Sequence, residues 1–243
     1  MIEHGNESEA HHSMGKPMKL LLVPGFMLDA DLWTDLRPDL QAIGEVIDVD
    51  TTRDTTLAAI ADRALVATDG PVVVVGFSMG GYVAREMAYQ APERVKALLL
   101  IATSAAPDGP QLRESRRPTG GQGPQFRRLS RRAVERSLSP GHRTDAMIER
   151  VQRMSERLGP EVFARQSSIQ RAGDAARLRD ITCPTTILAA GADELRSMPE
   201  SETLRDGIAG SVLNIVEGAG HLLPLERPAA VITALSALMM RFR

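Results

Sequence analysis

The chain predicts an α/β fold: a mostly parallel sheet of about six strands with helices on both faces, and a small helical cap above one edge. Three observations carry this. Apolar runs recur at 18–23, 45–49, 72–76, 95–101, 185–190 and 212–216, and they are continuous rather than alternating, as in strands buried on both faces. Segments of helical period fall between them, giving the strand–helix alternation of a parallel sheet. The alternation lapses once, between the fourth and fifth runs, where a string of helices without strands takes its place.

Element by element, residues 1–16 are polar, lack an apolar stretch of signal-peptide type, and are expected to be a disordered or artificially added leader that includes His4, His11 and His12. After the first strand comes Pro24-Gly25-Phe26-Met27-Leu28, then a helix from about Ala30 with Leu32, Trp33, Leu36 and Leu40 on one side. The second strand leads through a polar loop at 51–56 to an alanine-rich helix over 56–68. The third strand, a four-valine run, passes directly into a helix over 78–90 that stops at Ala91-Pro92, as proline requires. The core is expected over 17–104 and 173–243. The cap, over 105–172, should hold helices near 126–138, 144–158 and 160–171, separated by Ser139-Pro140-Gly141 and Gly159-Pro160. A helix over 199–209 and a closing helix over 225–240 complete the chain.

Composition narrows the function. A length of 243 residues with 43% hydrophobic and 25% charged content is that of one globular α/β domain with an insertion. A net charge of -2 and 3% aromatics give no basic or base-stacking surface, so no nucleic-acid partner is expected. No apolar run reaches the roughly 18 residues of a membrane span, and a cytoplasmic location without membrane contact is the expectation. The single cysteine, Cys183, excludes an internal disulfide and reads as a small buried filler. Neither a metal nor a cofactor is expected.

The chemistry centres on Gly76-Phe77-Ser78-Met79-Gly80, a G-x-S-x-G sequence between a strand and a helix. This is the form and context of a nucleophile elbow, which lifts a serine hydroxyl above the sheet. A serine nucleophile needs a histidine base oriented by a carboxylate. Beyond the leader the only histidines are His142 and His221. His221 follows the last strand in Glu217-Gly218-Ala219-Gly220-His221, on the carboxyl edge that also carries Ser78, and is the expected base. His142 lies in a cap turn, where an exposed or capping role is expected. The carboxylate is expected from Asp193, in the loop after the fifth strand, with Glu194 as its solvent-facing rival. Backbone donors for an oxyanion are expected from Met79 and from the loop after the first strand, at Phe26 with Met27 as the alternate.

Together LLLVPGFMLDADLWTDLRPDL, VVVVGFSMGGYVAREMAYQAPERVKALLLI, RLRDITCPTTILAAGADELRSMP and VEGAGHLLPLERP resemble the α/β-hydrolase superfamily, in particular its capped esterase, lactonase and haloperoxidase-like group. The resemblance runs from Lys19 to Phe242. It implies Ser78 as nucleophile, Asp193 as acid, His221 as base, Phe26 and Met79 as oxyanion hole, and a cap lining the substrate pocket. Three departures stand out. Pro24-Gly25 replaces the His-Gly of many relatives, Asp50-Thr51-Thr52-Arg53-Asp54 replaces a glycine-rich D-x-P-G-x-G-x-S segment, and the leader is too short for the family's opening strand pair.

Met27, Leu28, Leu222 and Leu223 are expected near the chemistry, adding to an apolar pocket. The cap is arginine-rich, from Arg113 to Arg157. These arginines read as a solvated outer face, with a carboxylate clamp in the cleft as the alternative. The inner side of the first cap helix should carry Phe126, Leu129, Ala133 and Leu138. Hydrolysis of a small carboxylic ester or lactone through an acyl-enzyme is the expected activity. Carbon–carbon bond hydrolysis of a carboxylate-bearing diketone, perhydrolysis, and ligand reception without catalysis are the alternatives.

Overall fold

Along the first strand, β1 (Lys19–Val23), Leu20 and Leu22 face one side and Leu21 and Val23 the other, and all four are fully buried. The same division continues through β3 (Val72–Phe77) and β4 (Val95–Ile101), so one sheet separates two apolar layers. A computed structural model describes residues 17–109 and 126–242. The expected leader and Arg113, Arg116 and Arg117 lie outside the described residues.

Among the described residues the sheet has six strands in the order β2-β1-β3-β4-β5-β6, all neighbours parallel. The remaining strands are β2 (Glu45–Asp48), β5 (Thr185–Ala190) and β6 (Val212–Val216). The strand order reverses where β1 sits between β2 and β3, so the loops leaving the carboxyl ends of β1 and β3 flank a crevice. One face is covered by a 3-10 turn (Ala30–Leu36), α1 (Arg37–Ile43) and the closing α8 (Pro228–Met239). The other is covered by α2 (Leu57–Val66), α3 (Met79–Gln90) and α6 (Met198–Gly207).

The helix expected from Ala30 thus begins as a 3-10 turn, and only its second half is α-helical. The expected 225–240 helix is divided into α7 (Leu223–Glu226) and α8, because Pro228 cannot donate a bond and restarts the helix as its first residue.

The cap helices sit between β4 and β5. Among the described residues the first, α4 (Arg131–Ser137), is shorter than the expected 126–138, because the Ser130 side chain caps the Ala133 amide and fixes the start there. The second, α5 (Asp145–Ser168), is broken at Gly159, whose φ of 75° and ψ of -178° are non-helical, and Pro160 opens its second half. The sequence places the two halves as separate helices, and the break falls at that boundary.

Arginines fasten this cap down. Arg150 binds Asp31 at 3.1 Å and Asp35 at 2.5 Å; Arg157 binds Asp29 at 2.8 Å and Asp31 at 3.1 Å; Arg143 binds Glu194 at 2.5 Å. Arg143 and Arg157 stay exposed, as expected of a solvated outer face, and Arg150 is half-buried, yet all three reach acceptors on core segments far away in sequence. Arg127, Arg128 and Arg153 do keep to cap glutamates on the outside.

Candidate active site

Ser78 follows the last residue of β3 with φ 51° and ψ -111°, a conformation L-residues avoid. Such backbone costs about 1–3 kcal/mol and persists only where its surroundings enforce it. Here the Ser78 amide donates to the Ile101 carbonyl at 2.9 Å, and its own carbonyl accepts from Thr103 Oγ1 at 2.7 Å and the Gly81 amide at 3.1 Å. Glycines make room for the turn. A Cβ on Gly76 would stand 2.5 Å from the Gly80 carbonyl oxygen, and one on Gly80 only 2.1 Å from that of Val23. The second contact also presses the first turn of α3 against the end of β1.

His221 comes from the loop after β6 and is buried. Its Nε2 lies 2.9 Å from Ser78 Oγ and its Nδ1 2.8 Å from Asp193 Oδ2. The far oxygen of Asp193, Oδ1, accepts the amides of Leu195 at 2.7 Å and Arg196 at 3.0 Å. A carboxylate held this way requires the proton on Nδ1, which leaves the Nε2 lone pair facing the serine hydroxyl. The imidazole also packs on the Phe77 ring, centroids 5.2 Å apart. The two loops are themselves joined, Gly191 amide to Val216 carbonyl and Ala192 amide to Ala219 carbonyl, at 2.9 and 2.8 Å. Glu194, the rival carboxylate, pairs with Arg143 on the surface.

Met79 is the first residue of α3, so its amide has no acceptor within the helix and lies at the positive end of the helix dipole. The Gly80 contact brings the Pro24–Phe26 loop beside it. Met27 is different. Its amide donates to Gln166 Oε1 at 2.8 Å, so the alternate oxyanion donor is occupied. Gln166 is fully buried near the end of α5 and donates in turn to the Thr51 carbonyl at 3.2 Å and Thr51 Oγ1 at 3.1 Å. It pins the loop after β1 while Met27 holds a positive φ of 55°.

A cavity of about 390 Å³ opens on Ser78 and His221. Phe26, Leu28, Phe77, Leu129, Val134, Val151, Phe163 and Leu222 give it apolar walls, and among the described residues Arg136 and Arg196 add guanidinium groups. Phe163 is held by Phe126, stacked at 4.0 Å, and Phe26, edge-on at 5.7 Å. Of the four residues expected in the pocket, Leu28 and Leu222 line it. Met27 and Leu223 do not; both are fully buried, Leu223 within the main core. Leu129 and Ala133 of the expected inner cap face line the cavity, whereas Leu138 packs into the core.

His142, expected in an exposed or capping role, is half-buried at the end of the turn Pro140–His142. Its ring bridges Ser139 Oγ and Arg227, each at 2.9 Å, beside the buried carboxylate of Glu226. Gln166 and Glu226 were both missed from the sequence. Glu226 had a weak signal, an acidic residue closing the apolar run Leu222-Leu223-Pro224-Leu225. Gln166 had none. Among the described residues no cluster of three or more histidine, cysteine or acidic side chains could hold a metal, and no helix is long and apolar enough to cross a membrane.

Fold and site together are of serine-hydrolase type. The chain belongs to the Alpha/beta hydrolase family, whose model matches residues 20–234. It is 26% identical over 220 residues to a pimeloyl-[acyl-carrier protein] methyl ester esterase of Neisseria meningitidis, covering 84% of this chain and 85% of that one. A thermophilic esterase from Thermogutta terrifontis, solved with malate bound, superposes with a TM-score of 0.81 at 29% identity, covering 94% of this chain and 91% of the other. The enol-lactonase of Burkholderia xenovorans reaches the same TM-score at 17% identity over 93% and 92% of the two chains, a likeness of fold.

Proposed function

We propose that this protein is a serine esterase that cleaves small carboxylic esters or lactones through an acyl-enzyme. The observation that carries the reading is the chain Ser78 Oγ to His221 Nε2 to Asp193 Oδ2, at 2.9 and 2.8 Å, at the floor of an apolar cavity. Ser78 Oγ attacks the ester carbonyl while its proton passes to His221 Nε2. Asp193 keeps the imidazole in the right tautomer and stabilises the imidazolium. The oxyanion faces the amides of Phe26 and Met79, a form of stabilisation worth about 10²–10³ in kcat per donor. His221 then gives its proton to the departing alcohol, which leaves the acyl group on Ser78. Water, deprotonated by the same nitrogen, attacks the acyl carbonyl; the proton returns to Ser78 Oγ and the acid departs.

Arg136 and Arg196 favour a second reading of the substrate. Two guanidinium groups beside a mainly apolar lining, which also reach Glu194 at 3.9 Å and Glu200 at 3.4 Å, suit a molecule with a carboxylate at its far end, either a half-ester of a diacid or a carboxylate-bearing diketone cleaved at a carbon–carbon bond. The test is turnover of short aryl esters, uncharged and carboxylate-bearing, by the wild type and Ser78→Ala. Loss of turnover in the variant supports the esterase reading, and undiminished turnover would sink it. Preference for an acidic diketone over every ester would favour carbon–carbon hydrolysis.

A further inference from the structure

Glu226 has a side chain with no solvent exposure, and three donors converge on it. Its Oε2 accepts Ser139 Oγ–H at 2.5 Å and the Gly220 amide at 2.9 Å, and its Oε1 accepts the Ser139 amide at 3.2 Å. Gly220 is the residue before His221, whereas Ser139 belongs to the cap, just beyond α4. The join continues one residue past the histidine, where the Leu222 amide donates to the Ser137 carbonyl at 2.9 Å. Contact is so close that a Cβ on Gly220 would lie 2.3 Å from the Ser139 nitrogen.

The hydrogen-bond directions are determined. Arginine only donates, so Arg227 makes His142 Nε2 an acceptor and leaves the proton on Nδ1, directed at Ser139 Oγ 2.9 Å away. The serine hydroxyl therefore donates onward to Glu226. A positive charge and two relays thus compensate a carboxylate that would otherwise be costly to bury.

We propose that Glu226 is a positioning residue for the base, tying the His221 loop to the Ser137–Ser139 turn of the cap so that the cap sets where the imidazole stands over Ser78. This rests on His221 being the base. The cap is then part of the reaction geometry, and displacing it carries the histidine away from the serine. A misplacement of about 1 Å at a reacting group costs up to about 10²-fold in rate.

Glu226→Gln tests this in the full-length protein, because an amide must set its NH₂ against one of three donors. With a short aryl ester, kcat is expected to fall about 10- to 100-fold while KM stays within about twofold, since neither Glu226 nor Ser139 lines the cavity. The low-field proton resonance of the His221–Asp193 bond should broaden or move. Ser139→Ala keeps the carboxylate and its Gly220 bond, so a smaller fall in kcat is expected. It decides the matter should Glu226→Gln not fold. Wild-type kcat in a folded Glu226→Gln, or in Ser139→Ala if that variant stands alone, overturns the proposal. So does a rise in KM at constant kcat. A wild type that neither turns over esters nor reacts at Ser78 with a phosphonate would instead remove the esterase reading itself.

Discussion

Asp193→Asn tests the carboxylate that fixes the ring proton of His221. The backbone dictates how the asparagine must sit. The Leu195 and Arg196 amides point at Oδ1 from 2.7 and 3.0 Å, so the amide oxygen takes that place and the NH₂ group takes that of Oδ2, 2.8 Å from His221 Nδ1. Nδ1 must then accept, the ring proton moves to Nε2, and Nε2–H faces Ser78 Oγ with no lone pair to receive the serine proton. Packing changes by less than a methyl group. The expected loss is about 10⁴ in kcat, or about 5.4 kcal/mol of barrier, with little change in KM or thermal midpoint. Initial rates on an aryl ester, with calorimetry on the same sample, measure both. A variant within about tenfold of wild-type kcat would refute the argument, because the asparagine both moves the ring proton and removes the charge that stabilises the imidazolium.

Three further outcomes follow from buried or paired groups. Gln166→Leu leaves the buried Met27 amide without an acceptor, at about 1–3 kcal/mol; loosening of the loop that bears Phe26 should lower kcat about tenfold, toward the limit of losing one oxyanion donor, and unchanged kinetics would disconnect that loop from the chemistry. Asp174→Ala strips the fully buried Arg85 of its two-pronged partner at 2.7 Å and Tyr89 of its acceptor at 3.0 Å, a loss of about 3 kcal/mol or more that should lower the thermal midpoint by about 6–12 °C. Burial tends to raise the Asp31 carboxyl, but hydrogen bonds and charge from Arg157 and Arg150 outweigh it and hold it below its ordinary 3.8. The stability it supplies is complete above that value and lost as pH falls through the lower folded one. In urea unfolding, the deficit of an Arg150→Gln/Arg157→Gln double variant should therefore be present at pH 5 and shrink below 3.8; a constant deficit would contradict the cap latch.

The sheet and the three-residue chain were legible because their signals are local. Continuous apolar runs such as Val72–Phe77 cannot satisfy a helical period on one face, and Gly76 answers a steric demand within five residues, from the Gly80 carbonyl. His221 was found by elimination from a small inventory and by its position after a strand. What escaped depends on long-range pairing. Nothing near Gln166 indicates that it reaches Met27, 139 residues away. The cap arginines looked unpartnered because Asp29, Asp31 and Asp35 lie more than a hundred residues earlier. Met27 and Leu223 were placed in the pocket by proximity in sequence, yet a strained turn and a short helix direct them into the interior instead.

Ser78 as the attacking atom is the centre of the account, and a serine-directed fluorophosphonate tests it most directly. One equivalent should add to the intact protein, map to the peptide carrying Ser78, and abolish ester turnover in proportion to labelling, while Ser78→Ala takes up none. Ester turnover that survives complete exposure to the reagent, or an adduct on any other residue, would contradict it.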